Sequence, residues 1–406
     1  MKPFRIVVAG GGAAGFFGAI SAAEKNPGIP VVLLEKGAHL LAKVRISGGG
    51  RCNVTHACHD PRELSRRYPR GGKALIGPLT RFGPEETVAW FASRGVKLKT
   101  ETDGRMFPVT DSSQSVIECL TRTAREAGIN VITRCGIQSV ATRQEGGFVL
   151  ELTDGSNMEC HRLLWATGGC GRGPHPLAPL GHRVTAPVPS LFTFHLAEDW
   201  IRSLAGLSVE DAKITVPDLS LQERGPVLFT HEGLSGPAVL RLSAWGARPM
   251  HGKNYRFPLS LDWIPGQSIE KGRQEIQSRR RIHGAKTLYR SGWSPLPSRL
   301  WEQLCGLAGI TPEERWSKLP REKEILLLRE LHDTKLEVVG KSMNKEEFVT
   351  CGGIPLEEVD MKTMESRKVP GLYFAGETLD IDGITGGFNF QAAWTTGWIA
   401  GQSIKG

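Results

Sequence analysis

The spacing of apolar residues changes period along the chain, and each change marks an element. Residues 4–9, FRIVVA, are an unbroken apolar and β-branched run, the pattern of a parallel strand buried on both faces. AAGFFGAISAAEKN follows with Ala and Phe at helical spacing and stops before Pro27. VVLLE, 31–35, is a second apolar run. Helical spacing predicts further helices around Glu85–Arg94 and over Ser112–Ala127, and strand alternation runs through VLELTDG. LLWATGG, 163–169, reads as a strand entering a turn. Between 188 and 265, the short stretches SLFTFHL, AKITVPD, GPVLFTH and YRFPLSLDW are separated by turn residues. Residues 266–334 read as helices with polar faces, one of them starting at Thr311 with Pro312 at N1 and Glu314 at N3. Residues 337–354 are expected to cross back. A strand, LYFAGE, and a helix from about Asn389 finish the pattern.

These elements predict an α/β protein with a discontinuous Rossmann-like domain, residues 1–187 and 355–406. Two insertions interrupt it: a barrel-like β domain, 188–265, and a small helical domain with a return crossover, 266–354.

The turn after the first strand, GGGAAG, supplies Gly10, Gly12 and Gly15 of a G-x-G-x-x-G fingerprint, with Ala13 and Ala14 opening the helix. Gly10 makes the tight turn, Gly12 lets backbone meet a pyrophosphate, and Gly15 lets the helix lie close to the strand. The helix N-terminus offers free N–H groups and partial positive charge to phosphates. Glu35 follows Gly15 by 20 residues, where an acid accepts hydrogen bonds from the ribose hydroxyls and repels a 2′-phosphate. FAD or NAD is therefore expected rather than NADP, with Lys36 beside the acid.

The chain reaches KVRISGGGRCNVTH, 43–56, within 13 residues of Glu35 instead of adding further βα repeats. In FAD proteins of the glutathione-reductase type, the segment after the ribose acid runs along the dinucleotide toward the isoalloxazine ring. On that pattern Ser47, Gly48, Gly49 and Gly50 give a close-approach surface for a flavin, with Arg51, Cys52 and Asn53 at its edge. Ala166, Thr167 and Gly168 close back on the sheet. Gly376, Glu377 and Asp380 form an acidic loop, and Gly386, Gly387, Phe388, Asn389 and Gln391 lead into a last helix whose dipole would face the flavin.

Composition adds limits. Hydrophobic residues are 40% and charged residues 23% of 406, an ordinary globular balance. No apolar run approaches the roughly 20 residues of a membrane span, and ILLL at 325–328 reads as a helix face. The opening MKPFRIVVAGGG enters a strand directly, and the eight cysteines, Cys170 among them, show no C-x-x-C or zinc spacing. A reducing, cytoplasmic setting without a metal is expected. The formal charge of +9 concentrates at Arg62, Arg66, Arg67, Arg70 and Lys73 and at Arg279–Arg281, which suits an anionic ligand or a solvated basic surface.

Together, GGGAAG, KVRISGGGRCNVTH, YPRGGKALI, GRMFPVTD, ATGG, LFTHEGLSGPAVLRLS, CGGIPLEEVDMKTMESRKVPGLYFAGETLDIDG and GGFNFQAAWTTG resemble the NAD(P)/FAD-dependent flavoprotein family that includes aminoacetone oxidases and bile-acid-dehydroxylation flavin reductases. The match runs from residue 4 to 401. It departs at CGRGPHPLAPLGHRV, 170–184, which is shorter and richer in Pro than the family's Thr-Gly-rich stretch and bears on substrate or nicotinamide access.

The resemblance implies an FAD-dependent oxidoreductase acting on a small organic substrate, with NAD(P)H, as a transient co-substrate, or O2 as the redox partner. The competing readings are a flavin-dependent nucleic-acid-modifying protein and a non-catalytic redox sensor. Candidates for the flavin edge are Arg51, Cys52, Asn53 and Asn389. Cys52 reads either as a packing residue or, as a thiolate beside Arg51, as the former of a flavin adduct, and Asn389 and Gln391 could hydrogen-bond the ring. His195 and His231, in the insertion, read as satisfied surface or core histidines, with proton donation as the alternative.

Overall fold

The computed structural model describes residues 4–169, 175–342 and 349–406, so Cys170 and the start of the divergent 170–184 segment lie outside the described residues. The chain divides into two compact units, Met1–Ser190 with Lys345–Gly406, and Leu191–Asn344.

The first unit is built on one sheet. Its five parallel strands run in the order Asn130–Thr133, Val31–Glu35, Ile6–Ala9, Arg162–Trp165 and Leu372–Phe374. Glu365–Ser366 and Val359–Asp360 add an antiparallel edge. The apolar runs explain the parallel part: Ile6, Val7, Val8, Leu33, Leu163 and Leu164 are all fully buried, as strands covered on both faces must be. Ile6 stands in register with Val31 on one side and Arg162 on the other. The helix Ala13–Lys25 packs on the last helix, Phe388–Ser403, through small residues. A Cβ on Gly397 would lie 2.6 Å from the Ala14 carbonyl, and one on Gly401 would lie 2.5 Å from that of Gly18. The two backbones can meet only because these positions are glycine.

In the second unit, six antiparallel strands close a barrel in the order Thr193–Leu196, Gly233–Ser235, Leu221–Phe229, Ser208–Val216, Phe257–Asp262 and Thr334–Ser342. The sixth strand corrects the expected division into separate β and helical insertions. Thr334, Leu336 and Val338 are buried and alternate with exposed residues, so this stretch is a half-buried strand rather than a crossover. It returns to the barrel after the helices, and one core joins Phe194, Phe257 and Trp263 to Trp293, Trp301 and Trp316. The division also falls at 190 and 345 rather than 187 and 355, because Thr185–Ser190 pairs with Val349–Gly353 inside the first unit.

The helix expected at Thr311 is a turn. Glu314 accepts from the Thr311 N–H at 2.9 Å and is also held by Lys323, and the next helix starts at Arg321 after Pro320. The capping pair thus closes on itself without launching a helix. Among the described residues no helix is long and apolar enough to cross a membrane.

Candidate active site

The glycine fingerprint is used as three different devices. Gly10 has φ +109°, and a Cβ there would sit 2.3 Å from the Ala166 carbonyl, so it lets the first turn touch the Ala166–Gly168 segment. At Gly15 a Cβ would fall 1.8 Å from the Gly10 carbonyl, which fixes glycine for helix–turn packing. Gly12 has ordinary φ and nothing within 4 Å of a Cβ position. It caps the first helix without any side-chain capping bond, leaving its amides to a ligand.

Glu35 ends the second strand half-buried. Its Oε2 accepts from the Gly11 N–H and its Oε1 from the Gly37 N–H, each at 2.7 Å. The carboxylate is therefore fixed in place with lone pairs to spare for hydroxyl donors. Lys36 beside it is exposed.

The segment Ala42–Gly50 begins as a helix and breaks at Ser47. Gly48, Gly49 and Gly50 then adopt φ of 58°, 68° and 83°, three consecutive left-handed residues that favour glycine. Gly48 packs on Phe107, whereas Cβ positions at Gly49 and Gly50 face open space. Asn53 fastens this run to the last helix. Its side-chain amide donates to the Thr55 carbonyl at 3.0 Å, and its oxygen accepts from the Gly387 N–H at 2.9 Å. Gly387, at φ 91°, caps that helix without a side-chain bond. Two glycine-capped helix N-termini and the open Gly12 and Gly49–Gly50 backbones offer donors, and the fixed Glu35 carboxylate an acceptor, a set that fits a flavin dinucleotide.

Around them, Ala166 donates its N–H to the Ala9 carbonyl at 2.8 Å, Thr167 is exposed, and the Gly168 carbonyl accepts from Thr378 at 3.3 Å. Gly376, at φ 68°, donates to Thr396, and Asp380 donates its backbone N–H to Ile354. Gly386, at φ 131°, lies against the Phe388 ring, which stacks on His56 at 4.9 Å.

Several expected roles are corrected. Cys52 is fully buried, and burial pushes its thiol up to about 12 against a lowering hydrogen bond from Ser47, so it stays protonated and is no thiolate nucleophile. Arg51 is committed to Glu101 at 2.7 Å and lies over the Phe107 ring at 4.0 Å. Asn389 clasps Gly383, accepting from its N–H at 2.8 Å and donating to its carbonyl at 3.0 Å, and so braces the acidic loop instead of facing a ring. Gln391 is 0% exposed, within a network of Thr55, Thr87, Thr395 and the Phe82 carbonyl. In the second unit, His195 pairs with Glu232 at 2.9 Å and His231 is exposed on a turn.

Three partners escaped the sequence reading. Lys43 meets Glu377 at 2.5 Å, Tyr68 donates to the Phe388 carbonyl at 2.7 Å, and Arg70 grips the buried Asp382. Arg70 and Asp382 both stand in motif segments, but only the fold reveals that they pair.

Known proteins resemble this chain along nearly its whole length. The chain is 31% identical over 417 residues to the ribosomal RNA dihydrouridine synthase of Escherichia coli, covering 100% of this chain and 98% of that protein. It is 28% identical over 414 residues to the 3-dehydro-bile acid delta(4,6)-reductase of Clostridium scindens, covering 98% of each. The solved 3-ketosteroid-delta4-(5alpha)-dehydrogenase of Rhodococcus jostii shares the fold, with a TM-score of 0.50 at 14% identity over 98% of this chain and 96% of that one. The chain is an FAD-dependent oxidoreductase, and, with residues 4–403 matched, it belongs to the family described as HI0933-like protein Rossmann domain.

Proposed function

We propose that this flavoenzyme reduces a carbon–carbon double bond conjugated to a carbonyl, and that its substrate is a uracil base within RNA. The two relatives named above differ in the size of their substrates but share this bond type. Uridine becomes dihydrouridine by reduction of the C5–C6 bond next to the C4 carbonyl, and a 3-oxo-Δ4,6 steroid carries a conjugated dienone. In either case one hydride equivalent and one proton add across the bond. NAD(P)H is the proposed source of the hydride and water the source of the proton.

Bound FAD supplies two-electron transfer between donor and substrate. The chain's own residues do the holding. Glu35 accepts the ribose hydroxyls, the amides after Gly12 receive the pyrophosphate, and the Gly48–Gly50 backbone allows close approach. The N-terminus of the last helix favours negative charge on the reduced cofactor.

The observation that carries the RNA reading is the basic surface beside this loop system. Arg62, Arg67 and Lys73 are exposed on and between the helices Pro61–Ser65 and Gly72–Arg81, and none forms an ion pair among the described residues. The Arg67 carbonyl accepts from the Ile384 N–H at 2.9 Å, which places these cations next to the loop entering the last helix. A phosphate polymer can engage several such cations at once, whereas a bile acid brings a single carboxylate.

The test is anaerobic. Enzyme reduced with NADPH is mixed with a uridine-containing ribosomal RNA transcript and, separately, with a 3-oxo-Δ4 steroid. Flavin reoxidation by the transcript, with two hydrogens gained per modified uridine by mass spectrometry, is expected. Reoxidation by the steroid alone would replace RNA with a small enone. A flavin that neither substrate reoxidises would overturn the shared-bond reading.

A further inference from the structure

The three arginines 279–281 look like one basic cluster in sequence, and the fold separates them. Arg279 donates to Glu275 at 2.6 Å and lies over the rings of Trp293 and Trp316, at 4.8 and 5.3 Å. Arg280 donates to the Leu319 carbonyl at 2.7 Å and to Glu324 at 2.8 Å. Both are spent inside the second unit. Arg281 is exposed and forms no ion pair among the described residues.

Three more exposed cations without ion pairs among the described residues, Lys286, Arg315 and Lys318, are drawn to the same edge. The link is a backbone clasp between the end of the helix Ile269–Ile282 and the short turn Trp316–Lys318. Ser317 N–H donates to the Gly284 carbonyl at 3.1 Å, Trp316 N–H to the Lys286 carbonyl at 3.2 Å, and Thr287 bridges Arg315 in antiparallel fashion. A Cβ on Gly284 would lie 2.7 Å from the Arg280 carbonyl and 3.3 Å from Ser317 Cβ, so the two pieces are locked closely. The buried Trp316 is the floor.

The acids nearby do not cancel this charge. Glu314 is held by Lys323 at 2.7 Å, leaving Glu313 as the exposed acid on the adjoining turn. Four cations on a rigid backbone repel one another, and multivalent phosphate relieves that repulsion by releasing its own counterions. An anionic membrane fits less well. Insertion needs an apolar face, and the helix spends Ile276 on the core, while its exposed isoleucines, Ile269 and Ile282, stand at opposite ends and form no continuous face.

We propose that Arg281, Lys286, Arg315 and Lys318 form a phosphate-backbone grip for RNA, in the barrel-and-helix unit and separate from the reacting site. This rests on the reading of RNA as substrate.

The experiment uses the full-length holoenzyme and a fluorescein-labelled ribosomal RNA hairpin, with binding followed by anisotropy across a potassium chloride series. The Arg281→Gln/Lys286→Gln/Lys318→Gln variant should keep its FAD and lower the log–log salt slope by about two to three units, since each phosphate contact contributes about 0.7–0.9. A control triple, Lys25→Gln/Lys97→Gln/Arg125→Gln, should keep the wild-type slope. Unchanged slope in the first triple, or an equal fall in both, overturns the grip while leaving RNA as substrate intact. Wild-type protein that binds no RNA at any salt overturns both. Patch-dependent binding to phosphatidylglycerol vesicles without RNA binding would make the edge a membrane contact and overturn the proposal.

Discussion

Arg70 and Asp382 meet as a two-pronged ion pair across 312 residues of sequence, with Asp382 0% exposed. Arg70 Nε donates to Oδ1 at 2.6 Å, Nη2 donates to Oδ2, and Ser190 adds a hydrogen bond to Oδ2 at 2.9 Å. Burial pushes this carboxyl above its usual range, and Arg70 and Ser190 pull it down without fully compensating. Removing the cation strands a buried carboxylate, a loss of about 3–5 kcal/mol. Arg70→Ala should therefore lower Tm sharply at neutral pH and recover part of the loss in acid, where the stranded carboxyl takes up a proton. A variant as stable as the parent at neutral pH, in thermal melts followed by circular dichroism, would show that the pair does not brace the acidic loop.

Cys52 should be chemically silent. It is fully buried beneath the left-handed glycine run, with its thiol held protonated up to about 12. Cys52→Ala is expected to retain full turnover, with stability reduced by a core packing term of about 1 kcal/mol. Iodoacetamide labelling of the native protein, mapped by mass spectrometry, should leave Cys52 unmodified while the more accessible Cys58 reacts. A long-wavelength charge-transfer band lost on Cys52→Ala would reinstate a thiolate beside the flavin.

Acid sensitivity should trace to Glu358. Burial raises its carboxyl, and Lys368, Arg183 and His182 outweigh that effect and hold it at about 2 against an ordinary 4.5. A depressed acid contributes stability above 4.5 that is lost as pH falls toward 2. His182, bonded to Glu358 and Ser366 at 2.8 Å each, is pushed down by burial, so the unfolded chain takes up its proton first and loss begins below about 6.5. Tm is expected to hold above pH 6.5, decline below it, and fall more steeply under 4.5. Glu358→Gln should start lower at neutral pH and show no steep segment; an identical acid limb in both proteins would assign the sensitivity elsewhere.

How much of this was legible in sequence depended on whether the signal was local. GGGAAG, the apolar runs on either side of it and Glu35 each state their role within a few residues, and they describe the first unit's sheet and turn. Asn389 and Gln391 have the chemistry of ring ligands, yet their amides are claimed by Gly383 and by Thr55, Thr87 and Thr395. Which acceptor an amide finds is a tertiary fact, as is the pairing of Lys43 with Glu377. The sixth barrel strand was legible too: TKLEVV alternates as a half-buried strand should, but both of its partners lie more than 70 residues upstream, across the whole helical insertion.

The glycine fingerprint allows fold and cofactor binding to be separated by one methyl group. Gly12 and Gly15 stand three residues apart, and their surroundings are opposite. At Gly15 an added Cβ would overlap the Gly10 carbonyl at 1.8 Å, where neither backbone can yield without parting helix from strand. Gly15→Ala should therefore express poorly or melt far below the parent. At Gly12 the φ of −92° suits any residue, and no atom lies within 4 Å of the Cβ position. Gly12→Ala should fold, with a helix-cap loss of at most about 1 kcal/mol. Its methyl would nonetheless occupy the space through which the pyrophosphate reaches the helix amides. The expected result is a folded, nearly colourless protein, read as FAD absorbance per mole at near-parental Tm. A Gly12→Ala protein that retains its full flavin would mean that the dinucleotide does not cross this turn, and the assignment of Glu35 to the ribose would fall with it.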